Sequence, residues 1–464
     1  MLMVMLLGAA LVAGCLLTLL GPDPQLAPLL IPALAAFGWL YKRPVWGLIA
    51  VITVVPFEGA LGIDISANKL LAPLILIVGL RLILQHQPAH ALRSNLWPVL
   101  IGFLVCYGFS VWKSEFRPAA IPYLYDLSFA LGCFVCTLML CQYMNLQTLF
   151  RFVAAGVAIT CLVAIQTAPA TDNGRATGFL ADPNYYALII DVAFAMVMML
   201  ILNTSSPLQR AIWGVIMLIL VSGLLHTESR SGMLVMMLIV LSCLWNYRTL
   251  VSRLQPKHFG FVLLGLMIGA GVALKAMPEK YFDRFASLAA LSSGATPYED
   301  PSLGRRASYL VVGANIVEQH PLLGTGPGTF PINYAQSSYA VAFSYMPDRS
   351  DLFRVAHNTY MQMVSEIGVP GGLLFVLAIV IGLRNFYQAR RNFLRAGNSY
   401  AANIAAHAGL GLLAVAIFLL FLTDPASKYL WFLLGLSSYL YRESNTPAIT
   451  TPPLSQPLLP RTTG

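Results

Sequence analysis

Three arginines and one histidine stand out in this chain because they sit in short polar motifs between long apolar runs. Arg175 lies in Gly174-Arg175-Ala176-Thr177-Gly178, just ahead of Asp182-Pro183-Asn184. Arg230 lies in His226-Thr227-Glu228-Ser229-Arg230-Ser231-Gly232, and Arg305 in Ser302-Leu303-Gly304-Arg305-Arg306. His357 opens His357-Asn358-Thr359-Tyr360, with Glu366 and Gly368 behind it. Guanidinium groups hold phosphate or diphosphate through paired charge-assisted hydrogen bonds. A neutral imidazole near its ordinary pKa can take a proton from an attacking hydroxyl. Together they describe group transfer from a diphosphate leaving group, which needs neither the carboxylate pair of a glycosidase nor a divalent metal once arginine neutralises the diphosphate. No metal or other cofactor is therefore expected; the only metal-like acidic sets outside the apolar runs are Glu299-Asp300 and Asp348 with Asp351. Each residue also has a plainer reading: a snorkelling arginine, an interfacial histidine, or a glutamate that only orients its neighbours, as for Glu228 and Glu366.

The elements that must position these groups follow from composition. Only 10% of the 464 residues are charged, against about 25% in globular proteins. The apolar set is 58% and the mean hydropathy +0.73, which excludes a water-soluble chain and indicates an all-α polytopic membrane protein. The net charge of +9 forms no dense basic stripe with interleaved aromatics, so nucleic acid is not an expected partner. All seven cysteines lie inside apolar runs, including the Cys133-x-x-Cys136 pair, and read as small buried side chains. Leu11-Val12-Ala13-Gly14-Cys15 looks superficially like a lipoprotein cleavage box, but no Lys or Arg precedes it, so the first run is expected to be an uncleaved transmembrane helix.

Apolar runs long enough to cross a bilayer fall near 2–20, 26–41, 45–61, 68–85, 96–112, 122–141, 149–166, 184–202, 209–225, 231–247, 259–276, 367–386, 401–422 and 426–441. That gives about 14 helices, with 12 as a lower bound, divided as 1–276 (spans one to eleven), 277–366 (a large outer loop with an interfacial helix), 367–441 (the last three) and 442–464 (a Pro- and Thr-rich tail that cannot bury a core). Charge orients them. With the N-terminus inside, the inner loops carry Lys42, Arg43, Arg81, Arg93, Arg151, Arg210, Arg248, Arg253, Lys257, Arg384, Arg390, Arg391, Arg395 and Arg442, and the acidic residues fall almost entirely outside. Both termini are then cytoplasmic and the polar motifs face outward. Asp126 and Asp191 lie within spans; as proton-relay groups they would suit the rival reading of a transporter or lipid-linked glycan flippase, but no convincing internal repeat accompanies them.

In order along the chain, Gly174-Arg175 with Gly178-Phe179 and Asp182-Pro183-Asn184, then Glu228-Ser229-Arg230-Ser231-Gly232, then Arg305 four residues before Tyr309, then His320-Pro321-Leu322-Leu323-Gly324-Thr325-Gly326-Pro327-Gly328, then His357-Asn358-Thr359-Tyr360 resemble the O-antigen ligase and O-antigen polymerase family of bacterial inner membranes. The resemblance covers about residues 170–390. It implies a GT-C-like membrane glycosyltransferase with a large periplasmic loop carrying short helices. Such an enzyme takes glycan from undecaprenyl diphosphate on the periplasmic side and passes it, with inversion, to a hydroxyl of lipid A core or another glycan. By matching motif, His357 resembles the family's catalytic histidine and Arg230 and Arg305 its essential arginines; Arg175, Asn184, Arg306, Asn358, Tyr360 and Glu366 are the expected substrate-binding set. Ten residues separate His357 from Gly368, similar to the His-containing loop motif of ligases, whereas the polymerase pattern places arginine there. Ligase is the leading expectation and polymerase the alternative, with the lipid-linked donor, the acceptor and membrane lipids as partners.

Overall fold

A computed structural model describes residues 30–60, 67–84, 89–168, 174–248, 301–344 and 351–446. Among these residues all regular structure is helical. The elements are α1 (Leu30–Lys42), α2 (Pro44–Val54), α3 (Ala67–Leu84), α4 (Trp97–Lys113), α5 (Arg117–Leu140), α6 (Leu146–Thr167), α7 (Pro183–Asn203), α8 (Pro207–His226), α9 (Arg230–Asn246), α10 (Pro301–Gln319), α11 (Phe330–Ala335), α12 (Ser338–Ala342), α13 (Thr359–Arg395), α14 (Ser399–Phe418) and α15 (Lys428–Asn445). The expected spans at 2–20 and 259–276, the loop portion 277–300 with Glu299 and Asp300, Asp348, Arg253, Lys257 and the tail from 447 lie outside the described residues.

Every other expected span coincides with a helix, but not each with a crossing. Among the described residues seven helices are long and apolar enough to cross a membrane: α3, α5, α6, α7, α8, α13 and α14. The expected spans 26–41 and 45–61 meet at an angle of 107° across Arg43, so they form one broken span or a re-entrant pair in place of two crossings. Helices α4 and α9 have 17 residues each, about 25 Å at 1.5 Å per residue, short of the roughly 30 Å hydrocarbon core.

Helix starts are set by sequence in a uniform way. Asn145, Asp182, Ser206, Ser229, Asn358 and Asn398 each accept backbone N–H bonds at the starts of α6, α7, α8, α9, α13 and α14. Proline follows in the first turn of α2, α4, α5, α7 and α8, where its missing N–H costs nothing.

Helix α13 is the axis of the bundle, packing against α4, α10, α14 and α15. Helix α14 runs antiparallel to α7, since Asn403 Nδ2 near its start donates to Asn203 Oδ1 at the end of α7, 2.7 Å away. The starts of α7 and α13 and the end of α14 therefore share one end of the bundle, sealed where the Thr359 N–H donates to the carbonyls of Leu419 and Leu422.

Helix α13 is broken at Gly368, whose φ of 77° and ψ of 169° interrupt the helix. The segment between α10 and α11 docks into the break. Val369 N donates to Pro321 O at 2.8 Å, Gly326 N to Glu366 O at 2.8 Å and Thr325 N to Ser365 O at 3.1 Å. Ser110 Oγ of α4 also donates to Glu366 O, at 2.7 Å. A Cβ on Gly368 would lie 2.2 Å from the Leu322 carbonyl oxygen, a clash with backbone that cannot move aside, at a φ that side chains adopt only with strain. Gly368→Ala is expected to destabilise the protein by about 2–4 kcal/mol. Gly79→Ala in α3, with nothing within 4 Å of the added Cβ, should leave thermal unfolding in detergent unchanged; equal midpoints for the two variants would contradict the docking.

Candidate active site

The first half of the site is built by the starts of α7 and α9. Asp182 Oδ1 accepts from Asn184 N at 2.6 Å and Tyr185 N at 2.9 Å, closing the first turn of α7. Asn184 Oδ1 accepts from Ser229 Oγ at 2.9 Å, and the same hydroxyl accepts from Gly232 N at the start of α9. Arg175 Nε donates to Thr227 O at 2.8 Å, beside the backbone bond from Ala176 N to His226 O. Arg175 and Asn184 thus belong to one hydrogen-bonded knot formed by the two polar motifs, and Arg230 opens α9 directly after its capping serine. Within that knot Glu228 is buried and holds a φ of 50°.

The second half is the approach to α13. His357 has a φ of 46°. Apart from glycines, it and Glu228 alone among the described residues have positive φ. Left-handed backbone costs a side-chain-bearing residue of order 1 kcal/mol or more and persists only where surrounding structure enforces it, typically at functional sites. Here the enforcement comes from both sides. Asn358 Oδ1 caps α13 by accepting from Met361 N, and the imidazole packs against the Tyr309 ring, with centroids 5.8 Å apart. Tyr309 lies one helical turn beyond Arg305 on α10, so the helix that shelters the imidazole also delivers Arg305 and Arg306.

Burial pushes the His357 pKa below its ordinary value, and the positive charges of Arg306, Arg354 and Arg305 push the same way, while Asp182 opposes them. Asp182 is therefore the link between halves, capping α7 and reaching His357 electrostatically. Of the adjacent pair on α10, Arg306 acts on the imidazole more strongly than Arg305. The result is an imidazole held neutral beside several guanidiniums, a base in a field that favours anions.

Not every expected binding residue faces this space. Tyr360 donates its hydroxyl to Ala416 O at 2.6 Å, which joins α13 to α14. Glu366 is fully buried, its Oε1 accepting from Phe330 N at 3.1 Å and Gln362 Nε2 at 3.0 Å. Both were expected among the substrate-binding groups; the Tyr360 hydroxyl and Glu366 Oε1 make internal bonds, while Glu366 Oε2 is buried without a hydrogen-bond partner among the described residues. Asn358 likewise spends its Oδ1 on the helix cap. The glycine-rich run 324–328 has the look of a phosphate loop, but its N–H groups at Thr325 and Gly326 are taken by Ser365 and Glu366, and its job is to hold α10 against the broken helix.

The sequence reading missed Arg354 as a site residue. It pairs with Asp351 and its Nε donates to Asp351 O at 2.6 Å; Tyr309 also bonds it and raises its pKa. The signal was present as Asp351-x-x-Arg354-x-x-His357, a spacing that reads as an ordinary loop without coordinates. Asp351 also accepts from Ser344 Oγ at 2.6 Å. Asp191 is fully buried within α7 with neither oxygen hydrogen-bonded among the described residues. Asp126 on α5 lies 3.5 Å from Asn68 Nδ2 and lines a cavity together with Val355, Thr423 and Asp424.

Residues 215–376 match the protein family described as O-antigen ligase. Over those residues the chain is similar to that family. The match takes in Arg230, Arg305, Arg306, the glycine-rich run and His357, and stops short of Arg175 and Asn184. No curated protein matches the chain.

The charges around His357 set signs for its titration. Asp182→Asn keeps a capping side chain but removes the charge that raises the imidazole pKa, so the His357 ring should titrate at still lower pH. Arg306→Gln removes a charge that lowers it, and the titration should move up toward the ordinary histidine value of about 6.5. Ring-proton NMR, with the His357 resonance assigned by its loss in His357→Gln, checks both directions. Identical titrations in the two variants would contradict the shared cluster.

Proposed function

We propose that the chain is an O-antigen ligase-type, metal-independent glycosyltransferase of the bacterial inner membrane, GT-C-like in architecture, with its active site on the periplasmic face. It moves glycan from undecaprenyl diphosphate to a hydroxyl of lipid A core or a similar acceptor. The observation that carries the reading is His357: an imidazole in strained left-handed backbone, kept neutral by burial and by Arg306, Arg354 and Arg305. The acceptor hydroxyl gives its proton to His357, its oxygen bonds to the anomeric carbon, and the bond from that carbon to the diphosphate breaks with its electron pair leaving on the diphosphate oxygen. Arg230, Arg305 and Arg306, with Arg175, hold the diphosphate as that charge develops. Attack opposite the leaving group inverts the anomeric carbon.

Beside His357 lies a cavity of about 210 Å³ walled by Tyr107, Tyr123, Asp126, Val355, Thr423 and Asp424. Val355 is two residues from His357, and Asp424 N donates to Thr359 Oγ1 at 3.1 Å, so the cavity is fixed to the start of α13. Aromatic faces with carboxylates and a hydroxyl suit a sugar ring, stacking against its C–H face and accepting from its hydroxyls. Burial pushes Asp424 up to about 6, with Lys428 opposing, leaving it mostly ionised at neutral pH. We assign this cavity to the acceptor sugar.

His357→Ala should lower polymer transfer by about 10²–10⁴-fold while the protein remains in the membrane, and Arg306→Ala by about 10²–10³-fold. Near wild-type polymer attachment by His357→Ala would overturn the reading. Asp424→Asn leaves the backbone clamp intact, so in a reconstituted assay it should raise the KM for acceptor with little change in kcat; an unchanged KM would remove the cavity from the substrate path.

A further inference from the structure

The end of the bundle away from His357 holds a second built cavity. Its volume is about 520 Å³, and its walls include Lys42, Arg43, Trp46, Arg81, Tyr143 and Asn145. Five element ends meet there: the ends of α1, α3 and the α5 segment, and the first turns of α2 and α6. The distance from the catalytic end can be read along α3, whose first residue donates its N–H to Glu58 and whose last turn carries Arg81. Fourteen residues of helix place the two about 21 Å apart. The other helix ends and loops on this side carry Arg93, Arg210, Arg248, Arg390, Arg391, Arg395 and Arg442, the bias of a cytoplasmic face.

Three cations line the cavity and no Asp or Glu does. Among the described residues Lys42, Arg43 and Arg81 have no carboxylate partner. The Arg81 guanidinium stacks over the Tyr41 ring at 5.5 Å, and its Nε is enclosed with no acceptor in reach. An enclosed guanidinium N–H without an acceptor is costly to leave unmade. The first turns of α2 and α6 add the positive ends of two helix dipoles. Beside the polar Asn145 and Thr148, the remaining wall is apolar and aromatic: Val45, Ile49, Trp46, which is 39% exposed, and Tyr143, which is 56% exposed. Tryptophan and tyrosine exposed at a helix end are the side chains of the lipid headgroup layer. A soluble anion would use the cations and leave these rings in water; a phospholipid uses both.

We propose that this cavity is a binding site for an anionic glycerophospholipid of the cytoplasmic leaflet. Its phosphate is held by Lys42, Arg43 and Arg81, and its glycerol and upper acyl carbons lie against Trp46 and Tyr143. The lipid bridges the sharp break between α1 and α2 to α3 and α6, elements that otherwise meet at this corner through like charges. The site stands apart from the proposed sugar transfer and does not depend on it.

The test uses the full chain in detergent, titrated with dioleoyl phosphatidylglycerol or dioleoyl phosphatidylcholine and followed by native mass spectrometry. Phosphatidylglycerol should bind at low lipid ratio and phosphatidylcholine should not. Lys42→Gln with Arg43→Gln, both exposed positions, should weaken the lipid roughly fivefold per charge, and Arg81→Gln should weaken it further. Arg391→Gln with Arg395→Gln removes the same charge from the same end outside the cavity, and should leave phosphatidylglycerol binding unchanged. Equal loss in this control would reduce the effect to general charge attraction and overturn the site. Full retention in the Lys42 and Arg43 variant would overturn it too. Competition by millimolar inorganic phosphate that empties the site would replace the lipid with a soluble anion and likewise contradict the proposal.

Discussion

The break in α13 at Gly368 is the constraint on which the rest depends. A continuous helix from residue 359 to 395 would have no free backbone groups in its middle, and the 321–326 segment would have nowhere to dock. Because the helix opens there, Glu366 O and Val369 N become available, and the chain between α10 and α11 closes onto them. Three glycines with positive φ, Gly324, Gly326 and Gly328, let that chain approach so closely that a Cβ at any of them would collide with Glu366, Ser114 or Tyr123. The buried Glu366 carboxylate then fixes the start of α11 through Phe330 N. Helix α10 is held against α13 as a result, and with it come Tyr309, Arg305 and Arg306. The position of the histidine's neighbours is in this sense a consequence of one glycine.

Much of this was legible in the sequence, for identifiable reasons. The expected span starts at 149, 184, 209, 231 and 401 fall within a few residues of the helix starts at 146, 183, 207, 230 and 399, because the Asn, Asp or Ser just before each run caps its first turn through a local bond to the next two or three N–H groups. The number of crossings was not legible at α1 and α2. Hydropathy measures composition along the chain and is blind to the 107° turn at Arg43. The polar motifs singled out the histidine and arginines as candidates, since charged groups beside apolar runs are scarce and need a reason. The internal bonds of Tyr360 and Glu366 were not legible because their partners, Ala416 O and Phe330 N, are remote in sequence. Arg354 was passed over for the same reason: its value comes from Tyr309 on another helix. The order of influence of Arg305 and Arg306 on His357 follows from helical phase around α10, which the sequence motif alone left ambiguous by one residue.

The chain also separates its charges by end. At one end, acidic and basic groups mix closely, with Asp182, Glu228 and Asp351 among the arginines, which tunes an imidazole and leaves room for a diphosphate. At the other end, cations meet with hardly an acid among them, and a lipid phosphate is the natural complement. The same residue type does different work because of what surrounds it: Arg306 lowers the pKa of a neighbour, whereas Arg81 encloses an Nε with no acceptor among the described residues.

A cryo-EM map of the protein in nanodiscs with undecaprenyl diphosphate bound tests the central claim most directly. The account predicts the diphosphate within hydrogen-bonding distance of Arg230 and of Arg305 or Arg306, with its terminal oxygen facing the His357 imidazole across space for one sugar. A diphosphate at the opposite end of the bundle, or one contacting none of these arginines while His357 stays covered, would contradict it.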